Sequence, residues 1–262
     1  MASCQIITVA NQKGGTGKTT TSYNLGVALA EMGKRVLLVD NDPQSNLSTL
    51  FGIETLKKQP LTLHDIITML LDEQALPDKN QYIVNSGKLD IIPASINLSV
   101  TEINLRNELG GERTLSTLLE PLQADYEIII IDTNPYLGLL TINALAACDR
   151  VIIPVSPQLW SANGLTSLLD VILKVKKKLN PKISVAGILM TMTCENTVLH
   201  REATELVKGY FKGKVNIFET QIPMTVKVGQ ANFYSQSILQ FDAKNKAALA
   251  YAALAREVSL HG

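Results

Sequence analysis

The segment Lys13-Gly14-Gly15-Thr16-Gly17-Lys18-Thr19-Thr20 constrains this chain more than any other. It follows the short apolar run Ile6–Ala10 and opens a stretch with helical spacing, Thr19–Met32. In that stretch Leu25, Ala28, Leu29 and Met32 share one stripe, and Gly33 marks the stop. A strand that turns through glycines into a helix is the context in which a backbone can cradle phosphate. Glycines allow successive N–H groups to point inward without Cβ clashes, and the helix N-terminus adds partial positive charge. In this reading Gly14, Gly15, Thr16, Gly17 and Thr20 line the cradle. Lys18 reaches the β- and γ-phosphate oxygens, and the Thr19 hydroxyl coordinates Mg²⁺. The plain alternative is a glycine-rich turn with an incidental lysine; the strand–loop–helix context argues against it.

Strand and helix signals alternate along the whole chain. Val36–Val39 and Leu89–Ile92 read as strands, and Ile128–Ile131, Val151–Val155 and Ile183–Met190 are runs rich in β-branched residues and without polar alternation. Such runs predict strands buried on both faces, hence a parallel sheet covered by helices. Pro93 closes the second of these runs, and Pro154 is read as an interruption of the fourth. Helices are predicted at Gly138–Ala147, Ala162–Leu179, Thr197–Phe211 and Lys244–Val258. Thr62 and Asp65 form a capping-box pair before a helix carrying Ile66, Ile67, Leu70 and Leu71, and Thr114 is predicted to cap a helix ending near Leu119. Glu54–Ser86 is the most polar and least regular stretch and reads as an excursion within one domain. The expected fold class is α/β: a mostly parallel twisted sheet with helices on both faces. It should form a single domain over 1–262 with no N-terminal DNA-binding extension, because the first strand signal begins within a few residues of Met1.

Composition excludes several classes. A chain of 262 residues can bury about three-quarters of its unfolded surface without metal or disulfide staples. With 46% hydrophobic and 18% charged residues it reads as globular rather than disordered. Its apolar runs are too short for a transmembrane helix. Cys4, Cys148 and Cys194 are an odd number without close spacing, which disfavours a disulfide framework or zinc site and favours a reducing cytoplasm. His64, His200 and His261 are scattered and read as surface or helix-face residues. The net charge of zero hides a gradient of −5 over residues 1–131 and +5 over 132–262. The basic excess gathers at Lys174, Lys176, Lys177, Lys178 and Lys182, and again at Lys208, Lys212 and Lys214. Two readings stand: solvated helix faces, or a surface that contacts phosphates.

The loop departs from the ordinary phosphate-binding pattern in one respect. Gln12 stands where glycine is usual, five residues before Gly17, and Lys13 adds a second lysine. In this deviant form the chain resembles the ParA/MinD/Soj family of ATPases, and among them the ParA/Soj-type partition ATPases. Two further segments carry the resemblance. Val39-Asp40-Asn41-Asp42-Pro43-Gln44 is similar to the family's switch I motif, and Ile129-Ile130-Ile131-Asp132-Thr133 to its Walker B motif. The match extends through Leu137–Leu145 and Gly187–Met192 and is weakest around residues 54–110.

The resemblance implies ATP and Mg²⁺ as cofactors and weak intrinsic ATP hydrolysis. It implies catalytic roles for Lys13, Lys18 and Asp42, with Asp42 orienting the attacking water. Thr19, Asp40 and Asp132 would serve the metal, Asp132 and Asp40 through its water shell. For the aspartates, strand-end turn chemistry or helix capping is the structural alternative. Lys13 would cross a nucleotide-sandwiched homodimer to the partner's phosphates, in the manner of an arginine finger. Pro223 and Thr225, in Ile222-Pro223-Met224-Thr225-Val226, match the adenine loop by position. Met224 and Thr225 stand where relatives commonly have Arg and Asn, and Lys227 is a candidate replacement for the lost charge. Asn134, and Cys194-Glu195-Asn196-Thr197, are further departures. The function so implied is DNA partition by a cytoplasmic, nucleoid-associated ATPase. Its ATP dimer would hold DNA without sequence preference through Lys174, Lys177, Lys178, Lys208, Lys212 and Lys227. A ParB-like centromere-binding or adaptor protein would trigger its release. A MinD-like membrane-surface ATPase is the alternative; it needs a C-terminal amphipathic basic helix, which is not read here, so no membrane partner is expected. An iron protein of the nitrogenase type needs a cysteine pair that is not seen, and a small-molecule ligase fits residues 128–145 poorly. Trp160 reads as packing rather than a base-stacking platform.

Overall fold

The computed structural model describes residues 4–56, 58–87, 89–157, 162–194 and 198–260. Its centre is a seven-stranded sheet made of β1 (Gln5–Val9), β2 (Val36–Asn41), β3 (Val84–Ser86), β4 (Leu89–Ile92), β5 (Ile128–Thr133), β6 (Arg150–Val155) and β7 (Ser184–Met190). The spatial order is β3-β4-β2-β5-β1-β6-β7. Every pairing is parallel except the β3–β4 hairpin, whose turn contains Gly87 at φ 78°. The expected fold class is therefore the observed one. From β1 the chain crosses to β2 on one side, and β6 lies on the other. The C-terminal edge of the sheet at β1 is thus a point where connections diverge, which opens a crevice in such sheets.

The unbroken apolar strand runs have a direct consequence. Leu37, Val39, Ile129, Ile131, Val151 and Ile153 face one core. Leu38, Ile128, Ile130, Ile152 and Leu189 face the other. Side chains alternate with period two, so a strand that is apolar at every position must be covered twice. The first core is closed by α3 (Leu63–Leu71), α4 (Leu98–Asn107), α5 (Thr114–Leu119), α6 (Leu139–Ala147), α7 (Ala162–Lys178) and α8 (Val198–Phe211). The second is closed by α1 (Lys18–Glu31), α2 (Asn46–Leu50), α9 (Val226–Phe233), α10 (Ile238–Phe241) and α11 (Lys246–Leu260). Each fully buried Leu or Ile contributes about 1.5–3 kcal/mol. Helix α1 is buried nearly throughout. Its Asn24 accepts the Ile238 N–H at 2.8 Å and so ties α10 to α1.

Four local features differ from the sequence reading. Pro154 does not interrupt β6, which runs through it and pairs Pro154 with Leu189. The Ile152 carbonyl accepts from Ala10 N–H and the Pro154 carbonyl from the Asn11 side chain, so these residues face the β1 side. There β1 has already ended, and the missing proline N–H deprives no partner. Thr114 does not cap α5. Its hydroxyl donates to the Gly111 carbonyl, and the Leu115 N–H is capped across the core by Asn143 of α6 at 3.0 Å. Residues 98–107, unread in the sequence, form α4, which buries Leu98, Thr101 and Leu105 and leaves Val100 and Ile103 exposed. Apolar residues on both faces blur its helical period. The stretch 54–86 holds, besides the expected helix α3, the short strand β3, which the sequence reading did not include. The capping pair is present: Asp65 accepts both the N–H and the hydroxyl of Thr62 at 2.7 Å. Trp160, His261 and residues 195–197 lie outside the described residues.

Asn143 is buried, and its amide also donates to the Gly111 and Leu139 carbonyls at 2.8 and 3.1 Å. Asn143→Leu leaves the Leu115 N–H without its partner, at about 1–3 kcal/mol, and removes the bond to the Gly111 carbonyl, which keeps the Thr114 hydroxyl, at about 1 kcal/mol more. Urea unfolding of that variant is expected to show a lower midpoint at unchanged slope, with a total loss of about 2–4 kcal/mol.

Candidate functional site: a phosphate cradle with a buried carboxylate

The loop between β1 and α1 is shaped from both sides. The Asn11 carbonyl oxygen accepts the Lys13 N–H at 3.0 Å, while its amide is held by Pro154. Thr191, one residue past β7, donates its hydroxyl to the Thr16 carbonyl at 2.8 Å. Gly15 and Gly17 take φ values of 73° and 83°, the left-handed region that glycine occupies without a Cβ penalty. At Gly17 space is limited as well, because a Cβ there would lie 3.4 Å from the Met192 side chain. Among the described residues, no acceptor is found for the backbone N–H groups of Gly14, Gly15, Thr16, Gly17, Lys18 and Thr19. Six such donors at a helix N-terminus make an anion site.

Lys18 and Asp132 define the chemistry of the cradle. The Lys18 ammonium is buried and donates to the Lys13 carbonyl at 3.1 Å. Burial pushes it below its ordinary value, while the Asp132 and Asp42 carboxylates pull the other way. Asp132 ends β5 and is fully buried. One of its oxygens accepts the Ser22 hydroxyl at 2.9 Å, and the other, Oδ2, has no partner among the described residues. Burial, and then the neighbouring Asp40, push the Asp132 carboxyl up to about 7; the Thr19 and Ser22 hydroxyls and the Lys18 ammonium work against that rise. An orphaned carboxylate oxygen in a dry site is costly unless a cation answers it. Mg²⁺ takes oxygen ligands from one or two carboxylates, hydroxyls, waters and phosphates, and the donor set of Thr19, Asp132 and the cradle fits that demand.

Asp40 stands beside Asp132 on the adjacent strand, the two being register partners. Its surroundings differ. Oδ2 accepts both the N–H and the hydroxyl of Ser48, at 2.8 and 2.7 Å, and Oδ1 accepts the Asp42 N–H at 3.2 Å. Burial pushes its carboxyl up to about 6, with the Ser48 and Asp42 hydrogen bonds opposing. Both oxygens are engaged by the chain's own groups, which makes Asp40 the anchor of that turn. Asp42 is buried in that turn, and its Oδ1 accepts the Gln44 N–H at 2.9 Å. Lys13 is exposed, and among the described residues nothing accepts a hydrogen bond from its ammonium. Thr19 and Thr20 are half-buried at the start of α1.

Past the cradle, the segment around Pro223 is stitched to the end of β7. Thr193 N–H donates to the Ile222 carbonyl at 3.0 Å, and Met224 N–H to the Thr193 carbonyl at 2.8 Å. Pro223 is half-buried and Met224 exposed. Thr225 caps α9, its hydroxyl accepting the Lys227 N–H at 3.2 Å. Lys174, Lys177 and Lys178 are exposed on α7, Lys208 is half-buried on α8 and Lys212 exposed just beyond it, so both groups flank the same core. Lys208 pairs with Glu205 at 3.3 Å, and with Lys212 and Lys214 it lines a groove of about 780 Å³. Lys227 lies apart from them, 5.7 Å from the centre of the Phe241 ring. The sequence reading missed Asn11, Ser22, Ser48 and Thr191. Ser22 carries little signal of its own, because the first half of α1 is polar at nearly every position.

Residues 4–185 match the family model described as AAA domain. The chain is 42% identical to the sporulation initiation inhibitor protein Soj of Bacillus subtilis, over 98% of this chain and 99% of that protein. It is 39% identical to the chromosome partitioning protein ParA of Myxococcus xanthus, over 97% of this chain and 87% of that one. Among solved structures, cobyrinic acid a,c-diamide synthase from Mycobacterium smegmatis, with bound ADP and magnesium, superimposes with a TM-score of 0.82 at 31% identity. That match covers 98% of this chain and 95% of the other. A phosphate cradle at the β1–α1 junction, a carboxylate at the end of β5 and full-length similarity to Soj and ParA converge, and the chain belongs to the ParA/Soj-type partition ATPases.

Proposed function

We propose that this protein is a Mg²⁺-dependent ATPase that works as an ATP-sandwiched homodimer in DNA partition. The observation that carries the reading is the buried Asp132 with one unpartnered oxygen beside Lys18, at the foot of six free N–H donors. The cradle N–H groups and the Lys18 ammonium bind the phosphate chain. Thr19 and Asp132 hold the metal, with Asp40 supporting the Asp42 turn beside it. When bound, Mg²⁺ neutralises phosphate charge. Pro223 and Thr225 lie where the adenine would rest. Asp42 orients the attacking water and accepts its hydrogen bond, since catalysis of phosphoryl transfer is chiefly positioning and charge stabilisation.

Lys13 is the residue that makes the pair. Among the described residues its ammonium finds no acceptor, and it extends from the loop that carries the cradle N–H groups. Reaching the nucleotide of a second copy, it supplies charge in trans, a device worth about 10³–10⁵ in rate in related chemistry. Hydrolysis then removes the negative charge that both copies bind, and the pair loosens. The lysines of α7 and α8, doubled in a dimer, form the surface for duplex DNA, with Lys227 as a separate contact. A ParB-like protein accelerates hydrolysis and so times release. The site of action is the cytoplasm, on the nucleoid. No described helix is long and apolar enough to cross a membrane.

Three outcomes are expected. Lys13→Ala keeps nucleotide affinity within a few-fold but stays monomeric by light scattering with ATP and Mg²⁺; ATP-dependent dimers of that variant would remove the trans role. DNA retention by the ATP dimer on filters falls as salt rises, with a log–log slope of about −0.9 per phosphate neutralised; no retention even at low salt would reject the DNA reading. The third concerns pH. Asp132 and Asp40 have folded values raised to about 7 and about 6, above an unfolded carboxylate at about 3.9. Their contribution to stability is therefore fully present below about pH 4 and is lost as pH rises through 6 and 7. The nucleotide-free protein is expected to melt lower at pH 8 than at pH 5.5. Mg²⁺ with nucleotide should restore the difference, and Asp132→Asn should flatten the profile. Thermal scans that show no such slope would place the orphaned carboxylate in a wetter site.

A further inference from the structure

We propose that Ser48 is a positioning residue for ATP hydrolysis, fixing the turn that carries Asp42. The inference rests on the role given to Asp42 above and assigns a function to a residue outside the recognised motifs. Between the end of β2 and the start of α2 the chain makes a tight excursion in which Ser45 takes φ 55°, an uncommon value for a residue other than glycine. Asp42 lies on that excursion. No side-chain cap holds the α2 N-terminus. What ties the two ends together is the pair Asp40–Ser48, eight residues apart, joined by two hydrogen bonds at 2.8 and 2.7 Å to one carboxylate oxygen. The other oxygen of Asp40 receives the Asp42 N–H.

Ser48 is itself anchored. It is buried, and while its hydroxyl donates to Asp40, the same oxygen accepts the Ala94 N–H at 2.9 Å from the segment that follows β4. A single hydroxyl thus joins three pieces of backbone: the end of β2, the first turns of α2 and the exit of β4. Every lone pair and proton used here is accounted for, with one donation and one acceptance. Alanine at this position would leave the Ala94 N–H and one of the Asp40 contacts without a partner in a dry site. The Asp40 carboxylate, then held by Ser48 N–H alone on that side, would no longer fix where the Asp42 N–H sits. A displacement of about 1 Å at a group that orients a nucleophile can cost on the order of 10²-fold in rate. The cradle N–H groups belong to the loop between β1 and α1, and none of the hydrogen bonds of Ser48 reaches them.

The test compares steady-state ATP hydrolysis by the wild type, Ser48→Ala, Ser48→Thr and Asp42→Ala, together with amide hydrogen exchange over residues 40–49 in the nucleotide-free proteins. Ser48→Ala is expected to lower kcat about 10–100-fold with KM for ATP within about two-fold, and to speed exchange in that segment. Ser48→Thr, which keeps the hydroxyl, is expected to recover most of kcat and slow exchange. Wild-type kcat in Ser48→Ala, an equal loss in Ser48→Thr, or unchanged exchange would overturn the proposal. If Ser48→Ala does not fold, Ser48→Cys takes its place, with an intermediate kcat expected and a wild-type kcat decisive against. The Asp42 variant separates the two levels. Normal hydrolysis by Ser48→Ala beside an inactive Asp42→Ala removes Ser48 alone, whereas normal hydrolysis by Asp42→Ala removes the role of Asp42 and this inference with it.

Discussion

Two carboxylates sit side by side at the ends of adjacent buried strands, and neither faces bulk water. Asp40 and Asp132 are register partners on β2 and β5, fully buried, and Asp40 raises the cost of charging Asp132. Such a pair is expensive to hold in a dry interior. The molecule answers the cost in two different ways. Asp40 is satisfied internally by Ser48 and the Asp42 N–H. Among the described residues, one oxygen of Asp132 has no partner, and the buried Lys18 ammonium lies nearby. One acid therefore organises a turn, while the other leaves an oxygen open.

The rest of the architecture serves that asymmetry. Parallel strands bring the ends of β1, β2 and β5 to one edge, so the cradle, the Asp42 turn and Asp132 converge although they lie at residues 13–20, 40–42 and 132. Helix α1 leaves from the cradle and packs against the sheet along nearly its whole length, which keeps its N-terminus aimed at the site. Thr191 and Asn11 brace the loop from the β7 and β6 sides. In the proposed function, coupling this site to a second copy gives the partition role, and Lys13, exposed on the cradle loop, is the residue that would reach across.

Legibility from sequence was uneven, and for identifiable reasons. Most β strands were readable because their central positions are apolar on both faces, a pattern that a doubly covered sheet produces; the short β3, Val84–Ser86, was not. The cradle was readable because glycines and a lysine at fixed offsets have few other uses between a strand and a helix. Helix α4 was not, because Val100 and Ile103 stay exposed while Leu98 and Leu105 are buried, and the two stripes cancel the period. Pro154 was misjudged because whether a missing N–H matters depends on which neighbouring strand has already ended. Thr114 was misjudged as a cap because the actual acceptor, Asn143, comes from another helix.

Local rules thus settled, from the amino acids alone, the element types, the doubly covered parallel sheet and the presence of a phosphate-binding turn. Each depends on neighbours within a few residues. Tertiary structure alone decided which polar groups are left without partners and which are consumed. Asp40 and Asp132 look alike in sequence, each an acid closing an apolar run. Only the packing of α2 and the β4 exit against β2 supplies Ser48 to the first, and only the arrangement of β5 beside β1 and α1 leaves the second half-answered by Ser22. Burial and hydrogen bonding between distant segments set the charge state of a carboxylate, and those contacts exist once the chain has folded.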